Sequence, residues 1–523
     1  MSRTLTKLSG ALVSAYDQDY SQHHDQTISV NPLVAELATW YEKLRTAMDY
    51  RDDEVILRSA IERILKRRLL LGGNGQTIAA PLLRELVWAR YFPDSSIPES
   101  TVAKVAHAID LFLKFEEEIN KKHRVNKGMV NEWILHLLSS EIEYILKPDH
   151  HKDLMSNYIY QIFRARMQIA DDSEQVKNIQ TFIAVRRAYA NDDLPFLRYH
   201  LFLQYFGKLT AHNLETTSSR FMEGYRNIQS QLNYPLKNKF FVYIDSQKVP
   251  FLILDDVLKK NQGSIVSLIS DEDQLNLAVL SVCSQRYKSV KGRVRRAIIR
   301  SVIFIFFTKA LFALFIEGTF ENLLFGKIFW PSIALNTLTP PLLMILVGFF
   351  IQTPSRENSF KIQRKINSLL FDENPQLENP LVIKKKIKKT DPLIWSLFMI
   401  LWLATFAVSF GALIFILTKL SVNPISQGVF IFFIAIVSFI AYRINRTANM
   451  YVVKDGKENL ASLFSDFFFM PFITVGRRLT LAVSQINIIL FIIDFIIEAP
   501  FKGIFAFFEQ WLLFLRTQRE KLD

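Results

Sequence analysis

The sequence predicts a mainly α protein in two parts: a helical domain carrying a small β-hairpin element, then an α-helical membrane domain of four spans with an interfacial or re-entrant C-terminal helical segment. Three observations predict it. Apolar residues recur at helical spacing through the first half. Uncharged apolar runs long enough to cross a bilayer begin only after about Arg300. Lys and Arg crowd beside those runs on one side and are sparse on the other.

Composition agrees. Half the residues are hydrophobic and 44 are Phe, an apolar load that needs lipid or a very large core, and its uneven distribution along the chain decides for lipid. The net charge of +13, from 63 Lys and Arg against 50 Asp and Glu, concentrates beside the apolar runs. That placement points to anionic lipid headgroups and away from nucleic acid. Cys283 is the only cysteine, so no intrachain disulfide forms and a reducing cytoplasmic face fits. The first 31 residues read as a flexible segment with no uninterrupted apolar core, so not as a secretory signal peptide; Arg3, Lys7 and several Ser before Asp17 loosely resemble an organellar transit peptide.

Residues 32–236 read as the helical domain. Leu33, Leu37, Trp40 and Leu44 form one stripe, Leu57, Ile61, Ile64 and Leu65 the next, Val102, Val105, Ile109 and Leu113 a third, and Ile134, Leu137, Leu138, Ile142 and Ile145 a fourth. Asp52 and Asp53 precede one stripe and the Pro98 to Thr101 stretch another, as helix starts. The phrase LLLGGNGQT lacks the Gly-Lys-Ser/Thr ending of a phosphate loop and follows a helix, so it reads as a glycine C-cap. Asp149, His150, His151 and Asp153 lack a second ligand pair nearby and read as a solvated turn, as do His23 and His24. No catalytic motif is found, so no catalytic residue, metal ligand or cofactor is assigned. The aromatic run LPFLRYHLFLQYFGKL reads as a core helix.

Residues 237–286 read as a small α/β element: KFFVYIDSQKVPFLIL as a hairpin turning at Asp245 to Lys248, then SIVSLIS as a short strand before a helix. A basic juxtamembrane segment, 287–296, includes Arg293, Arg295 and Arg296. The first transmembrane pair, 297–351, has its first run at Ala297 to Ile316, an outside loop with Glu317 and Glu321, and a second run that Pro340 and Pro341 should kink, with Asn336, Thr337 and Thr339 satisfying the freed carbonyls. The cytoplasmic loop 352–391 holds the densest positive block, including Lys384, Lys385 and Lys386. The second pair occupies 393–442, with Ala407 and Gly411 spaced for close helix packing. All four connections agree on one orientation, with both termini and the helical domain on the cytoplasmic side of a plasma (inner) membrane, or of an organellar one if the N-terminus is a transit peptide.

Residues 459–518 are apolar but organised differently. Thr480, Ser484, Asn487, Asp494 and Glu498 fall on one helical stripe, flanked by Arg477, Arg478 and Lys502. A fifth span would translocate one of those basic flanks, whereas a helix lying in the inner-leaflet boundary would not and is the preferred reading, and Pro471 and Pro500 should break the stretch into pieces. Lys309 lies near the middle of the first span, where a lysine costs roughly 2.5 to 3.5 kcal/mol. Two functions follow as expectations. One is a non-enzymatic membrane protein acting through protein or homo-oligomer contacts and anionic lipid at the inner face. The other is a small transporter or channel subunit in which Lys309 pairs with Asp494 or Glu498.

Overall fold

The computed structural model describes residues 4–17, 56–70, 72–169, 172–326, 330–375, 377, 380–383, 392–420, 422–453 and 460–484, with 507, 511, 514 and 515 of a last helical stretch. The fold is mostly helical. The chain divides into two compact units, one holding Gly10–Lys248 with Asn379–Lys385, the other Val249–Glu378 with Lys386–Ile486.

The first unit contains the end of α1 (Lys7–Tyr16), then α2 (Ile56–Leu70), α3 (Gly75–Trp88), α4 (Ser100–Lys122), α5 (Lys127–Leu146), α6 (His150–Arg166), α7 (Glu174–Ala188), α8 (Leu194–Phe206), α9 (Leu214–Leu232) and α10 (Lys237–Gln247). Short polar residues start these helices: Asn74 forms a reciprocal capping box with Thr77, Asp149 accepts from Lys152 N, and Asp193 accepts from Phe196 N. Gly72, at φ 81°, lies just past the end of α2, the left-handed position that ends a helix most cheaply with glycine. Asp149 therefore serves as a cap. The core is the expected stripes brought together, with Leu82, Ile109, Phe115, Trp133, Leu138 and Phe202 nearly or fully buried. Phe221 stands edge-on to Phe115 at 5.8 Å and to Trp133 at 5.9 Å. The stripe at Leu33 to Leu44 and the caps at Asp52 and Asp53 lie outside the described residues.

The expected hairpin is not formed. Its two halves are helices, α10 and α11 (Val249–Lys260), and SIVSLIS is a third, α12 (Ile265–Ser270). Phe, Val, Tyr and Ile favour strands locally, but burial here follows 3.6-residue spacing: Phe240, Tyr243, Ile244 and Gln247 are inside on α10, and Ile265, Leu268 and Ile269 on α12. Tertiary burial overrides propensity. The described sheet lies elsewhere, β1 (Met167–Ile169) parallel to β2 (Leu381–Ile383) with Gln168 opposite Val382.

The second unit continues with α13 (Glu272–Phe312), a π-helical turn (Ala313–Glu317), α14 (Gly318–Phe325), α15 (Trp330–Phe350), α16 (Arg356–Phe371), α17 (Pro392–Lys419), α18 (Pro424–Ala448) and α19 (Leu460–Ser484). Among the described residues three stretches are long and apolar enough to cross a membrane, Glu272–Phe320, Pro392–Lys419 and Pro424–Ala448, and α15 adds a shorter apolar one, Asn336–Phe350. The loop expected at 352–391 contains α16, whose Ile362, Ile366 and Leu370 are buried. Asn358 fixes its start by donating to the Tyr451 carbonyl at 2.7 Å and accepting from Val453 N at 2.9 Å.

Three expectations about helix packing change. Pro471 does not break the chain; it lies inside α19. Gly411 has open space where a side chain would be, so the Ala407 and Gly411 pair makes no close contact, whereas a Cβ at Gly476 would collide with the Ala435 carbonyl. The close approach is thus between α18 and α19. Ser409 Oγ adds a bond from α17 to the Phe468 carbonyl at 3.0 Å. Pro340 and Pro341 sit within one helix, α15, and Asn336 is engaged elsewhere, as described next.

Candidate functional site

Lys309 is fully buried near the end of α13, and its ammonium bonds the carboxylate of Glu317, which is also fully buried. The two residues are eight apart. On a plain α-helix eight steps of about 100° leave them roughly 80° apart around the axis. The π turn at Ala313–Glu317 winds each residue through a smaller angle and swings Glu317 back toward the Lys309 face. Glu317 thus belongs to the helical bundle and not to the outside loop assigned to it from sequence. The loop reading fails because the helix runs on through Phe325 once the acid has an internal partner.

Other helices complete the site. Asn336 Nδ2, on α15, donates to Glu317 Oε2 at 3.0 Å and to the Ser426 carbonyl at 3.1 Å. Ser426 Oγ reaches the same Oε2 at 3.4 Å. Ser426 lies in the first turn of α18, where Asn423 Oδ1 accepts from its N–H at 2.8 Å, so the carboxylate faces the positive end of that helix. Phe433 lies 5.2 Å from the ammonium, close enough for cation–π attraction, and stands edge-on to Phe312 at 5.4 Å. Asn336 Nδ2 is thus spent on Glu317 and Ser426, and Thr337 Oγ1 is buried without a hydrogen-bond partner, so neither relieves the carbonyls freed by Pro340 and Pro341; Asn336 Oδ1 is likewise buried without a partner.

The site is a closed, charge-neutral lock joining α13, α15 and α18. Each charge has an ionic partner, and the acid has two further neutral donors, the arrangement that makes a buried pair tolerable. Breaking it from one side leaves a bare charge in an apolar bundle.

Of the residues singled out from sequence, Lys309 and Asn336 come together, through Glu317. Asp494, Glu498, Lys502, Lys384, Lys385 and Lys386 lie outside the described residues. Arg295 and Arg296 are exposed on α13 and Arg477 and Arg478 on α19, while Arg293 is half-buried with its Nε unpartnered. Sequence reasoning missed Glu317 and Ser426. The signal for Glu317 was present: the apolar phrase LLF follows it, so the run did not end where its first acid appeared. Ser426 carried none, since its role depends on which helix start meets Glu317. No protein-family model, curated protein or solved structure matches this chain.

Proposed function

We propose that the chain is a multi-pass integral membrane protein that acts without chemistry of its own, through protein contacts and anionic lipid at the inner face of the plasma membrane. In this reading α13 with its π turn, α15, α17 and α18 are four spans, and both termini and the helical unit are cytoplasmic. One observation carries it. On the single helix α13, Lys288, Lys291, Arg295, Arg296 and Arg300 are exposed, and the next exposed residues are Ile303, Phe304, Phe306 and Phe307. A cationic stretch followed directly by an outward apolar surface matches headgroups followed by acyl chains, at about 1 kcal/mol per cation near an anionic leaflet. Lys309 is then about 13 Å along the helix from Arg300, near the middle of a core about 30 Å thick. Arg477 and Arg478 extend the basic face on α19.

The test uses cysteine labelling, which is clean because the native Cys283 is buried. Leu420→Cys and Asp372→Cys place thiols at exposed positions between α17 and α18 and after α16. An impermeant thiol reagent added to intact cells should label the first and reach the second only after permeabilisation; the reverse pattern would overturn the orientation. Vesicles should also show the purified protein enriching phosphatidylglycerol over phosphatidylcholine in its lipid shell. Equal shells would remove the lipid part.

A second reading, a small transport subunit, is favoured by the partnerless Asn336 Oδ1 and Thr337 Oγ1 on α15, polar atoms that a passing ion or water would satisfy. Here Lys309 works with Glu317 where the sequence suggested Asp494 or Glu498. Ion or solute flux that is unchanged by Lys309→Met would dismiss it.

A further inference from the structure

The helical unit contains a cleft of about 260 Å³ that no part of the preceding function uses. Its wall is drawn from four helices. Tyr144 comes from α5, Ser156 and Tyr160 from α6, Phe182 from α7, and His200 and Leu203 from α8. Tyr160 and Phe182 meet edge-on at 6.2 Å, and Phe182 and His200 do so at 6.3 Å. Inside, Ser156 is only 4% exposed and its Oγ has no hydrogen-bond partner. A buried hydroxyl left without a bond costs about 1 to 3 kcal/mol, so a polar atom placed against it would be held there.

Charge at the cleft is already balanced. Arg186 donates to Asp192 at 2.6 Å, to Asp153 at 2.7 Å and to His200 Nε2 at 2.6 Å, and Lys152 lies 3.8 Å from Asp192. Of these, Arg186 and Asp153 line the cleft, one cation against one carboxylate. An anionic ligand would meet Asp153, and a cationic one would have to compete with Arg186 for carboxylates it already holds in buried, charge-assisted bonds. Burial, with Arg186 alongside, holds His200 down to about 4, so the ring is neutral and its Nε2 is an acceptor.

Ser156, His200 and Asp192 are the residue types of a hydrolytic triad, but the arrangement is not one. The His200 Nε2 lone pair is taken by Arg186, and Ser156 Oγ is bonded to no base. Binding is what remains.

We propose that the cleft between α6, α7 and α8 binds a small, uncharged, planar heteroaromatic compound, its ring against Tyr160 and Phe182 and a polar substituent bonded to Ser156 Oγ. The size fits: a dry cavity of about 150 Å³ takes benzene, so this one has room for a ring with a substituent. Aromatic walls with a few fixed polar groups, here Ser156 beside Asp153, Asn157 and Arg186, are the usual make-up of a small-molecule site.

Three probes built on one ring test the idea on the full-length protein in detergent micelles: nicotinamide (neutral), nicotinate (anion) and the 1-methylnicotinamide cation, titrated by saturation-transfer NMR. Nicotinamide should give saturable binding, with both charged analogues at least about tenfold weaker. Ser156→Ala should weaken nicotinamide about fivefold, the loss of one neutral hydrogen bond, and Leu203→Trp should abolish binding by filling the cleft. Ser156→Ala removes a partnerless hydroxyl and so keeps the fold, which makes it decisive if Leu203→Trp does not fold. No saturable nicotinamide binding, a charged analogue binding as well, or unchanged affinity in Ser156→Ala overturns the proposal.

Discussion

The two units bury charge in opposite ways. In the apolar unit the Lys309 and Glu317 pair is minimal: one cation, one anion, and two neutral donors from Asn336 and Ser426. In the helical unit charges are abundant and shared. Arg58 bonds Asp193 at 2.8 Å, Glu62 at 2.5 Å and Ser139 at 3.3 Å, and Arg186 has three partners of its own. Arg198 reaches Glu132 at 2.9 Å and His136 at 2.6 Å while lying over Trp133. A minimal pair has no spare partner, so losing one member strands the other. A shared network redistributes, because each carboxylate and each guanidinium keeps other contacts. Fragility thus follows the number of alternatives, and burial alone does not set it.

The largest expected effect lies in the minimal pair. Lys309→Met should destabilise the protein by about 3 to 5 kcal/mol, the cost of an uncompensated buried charge, and adding Glu317→Gln should restore most of it. Thermal unfolding of the two variants in one detergent checks this. A double variant no better than the single would mean that the lysine acts through packing and would break the comparison.

The next effect belongs to the network and is read through pH. Burial pushes the Glu143 carboxyl up to about 7, well above its unfolded value, so Glu143 stabilises the fold at low pH and loses that contribution as pH rises toward 7. His200 has the opposite sign: depressed to about 4, it stabilises above its unfolded value near 6.5 and loses this as pH falls toward 4. Between about pH 4.5 and 6.5 the two slopes oppose each other. Glu143→Gln should expose the His200 slope, with stability rising by on the order of 3 kcal/mol from pH 4 to 6.5. Unfolding midpoints of wild type and variant across that range decide it; parallel curves would show that the two sites do not offset one another.

The smallest effect is at the surface. Lys121 pairs with Glu117 at 2.8 Å on the exposed face of α4, where water already solvates both ends. Lys121→Ala should leave the midpoint unmoved at any salt concentration. A measurable drop would mean that surface pairs matter here as much as buried ones.

Much of the fold is legible in the sequence because helical stripes are local. The Ile61, Ile109 and Leu138 faces and the apolar runs follow from spacing alone, and Lys309 stands out because a lysine in an apolar run has few explanations. What escaped depends on distance. Met167 to Ile169 and Leu381 to Ile383 are three-residue strands more than two hundred positions apart, with no local pattern that announces a pair. The Arg186 cluster looks like ordinary surface charge until α6, α7 and α8 meet. The Phe240 and Phe251 segments carry strand-favouring residues over a helical burial pattern, so local propensity and period point to different elements there. The π turn left no signature, so the partnership it creates between positions eight apart could not be read from a 3.6-residue wheel.

If the bundle spans a bilayer, that partnership also sets how it answers to voltage. In the spanning arrangement a membrane potential does work only on net charge, about 2.3 kcal/mol for each elementary charge carried across 100 mV. Lys309 and Glu317 move together with zero net charge, so a shift of the π turn along the membrane normal carries almost no gating current. A neutral pair in a spanning bundle therefore adds almost nothing to its response to the field. Removing only one partner would leave one net charge there for the field to act on.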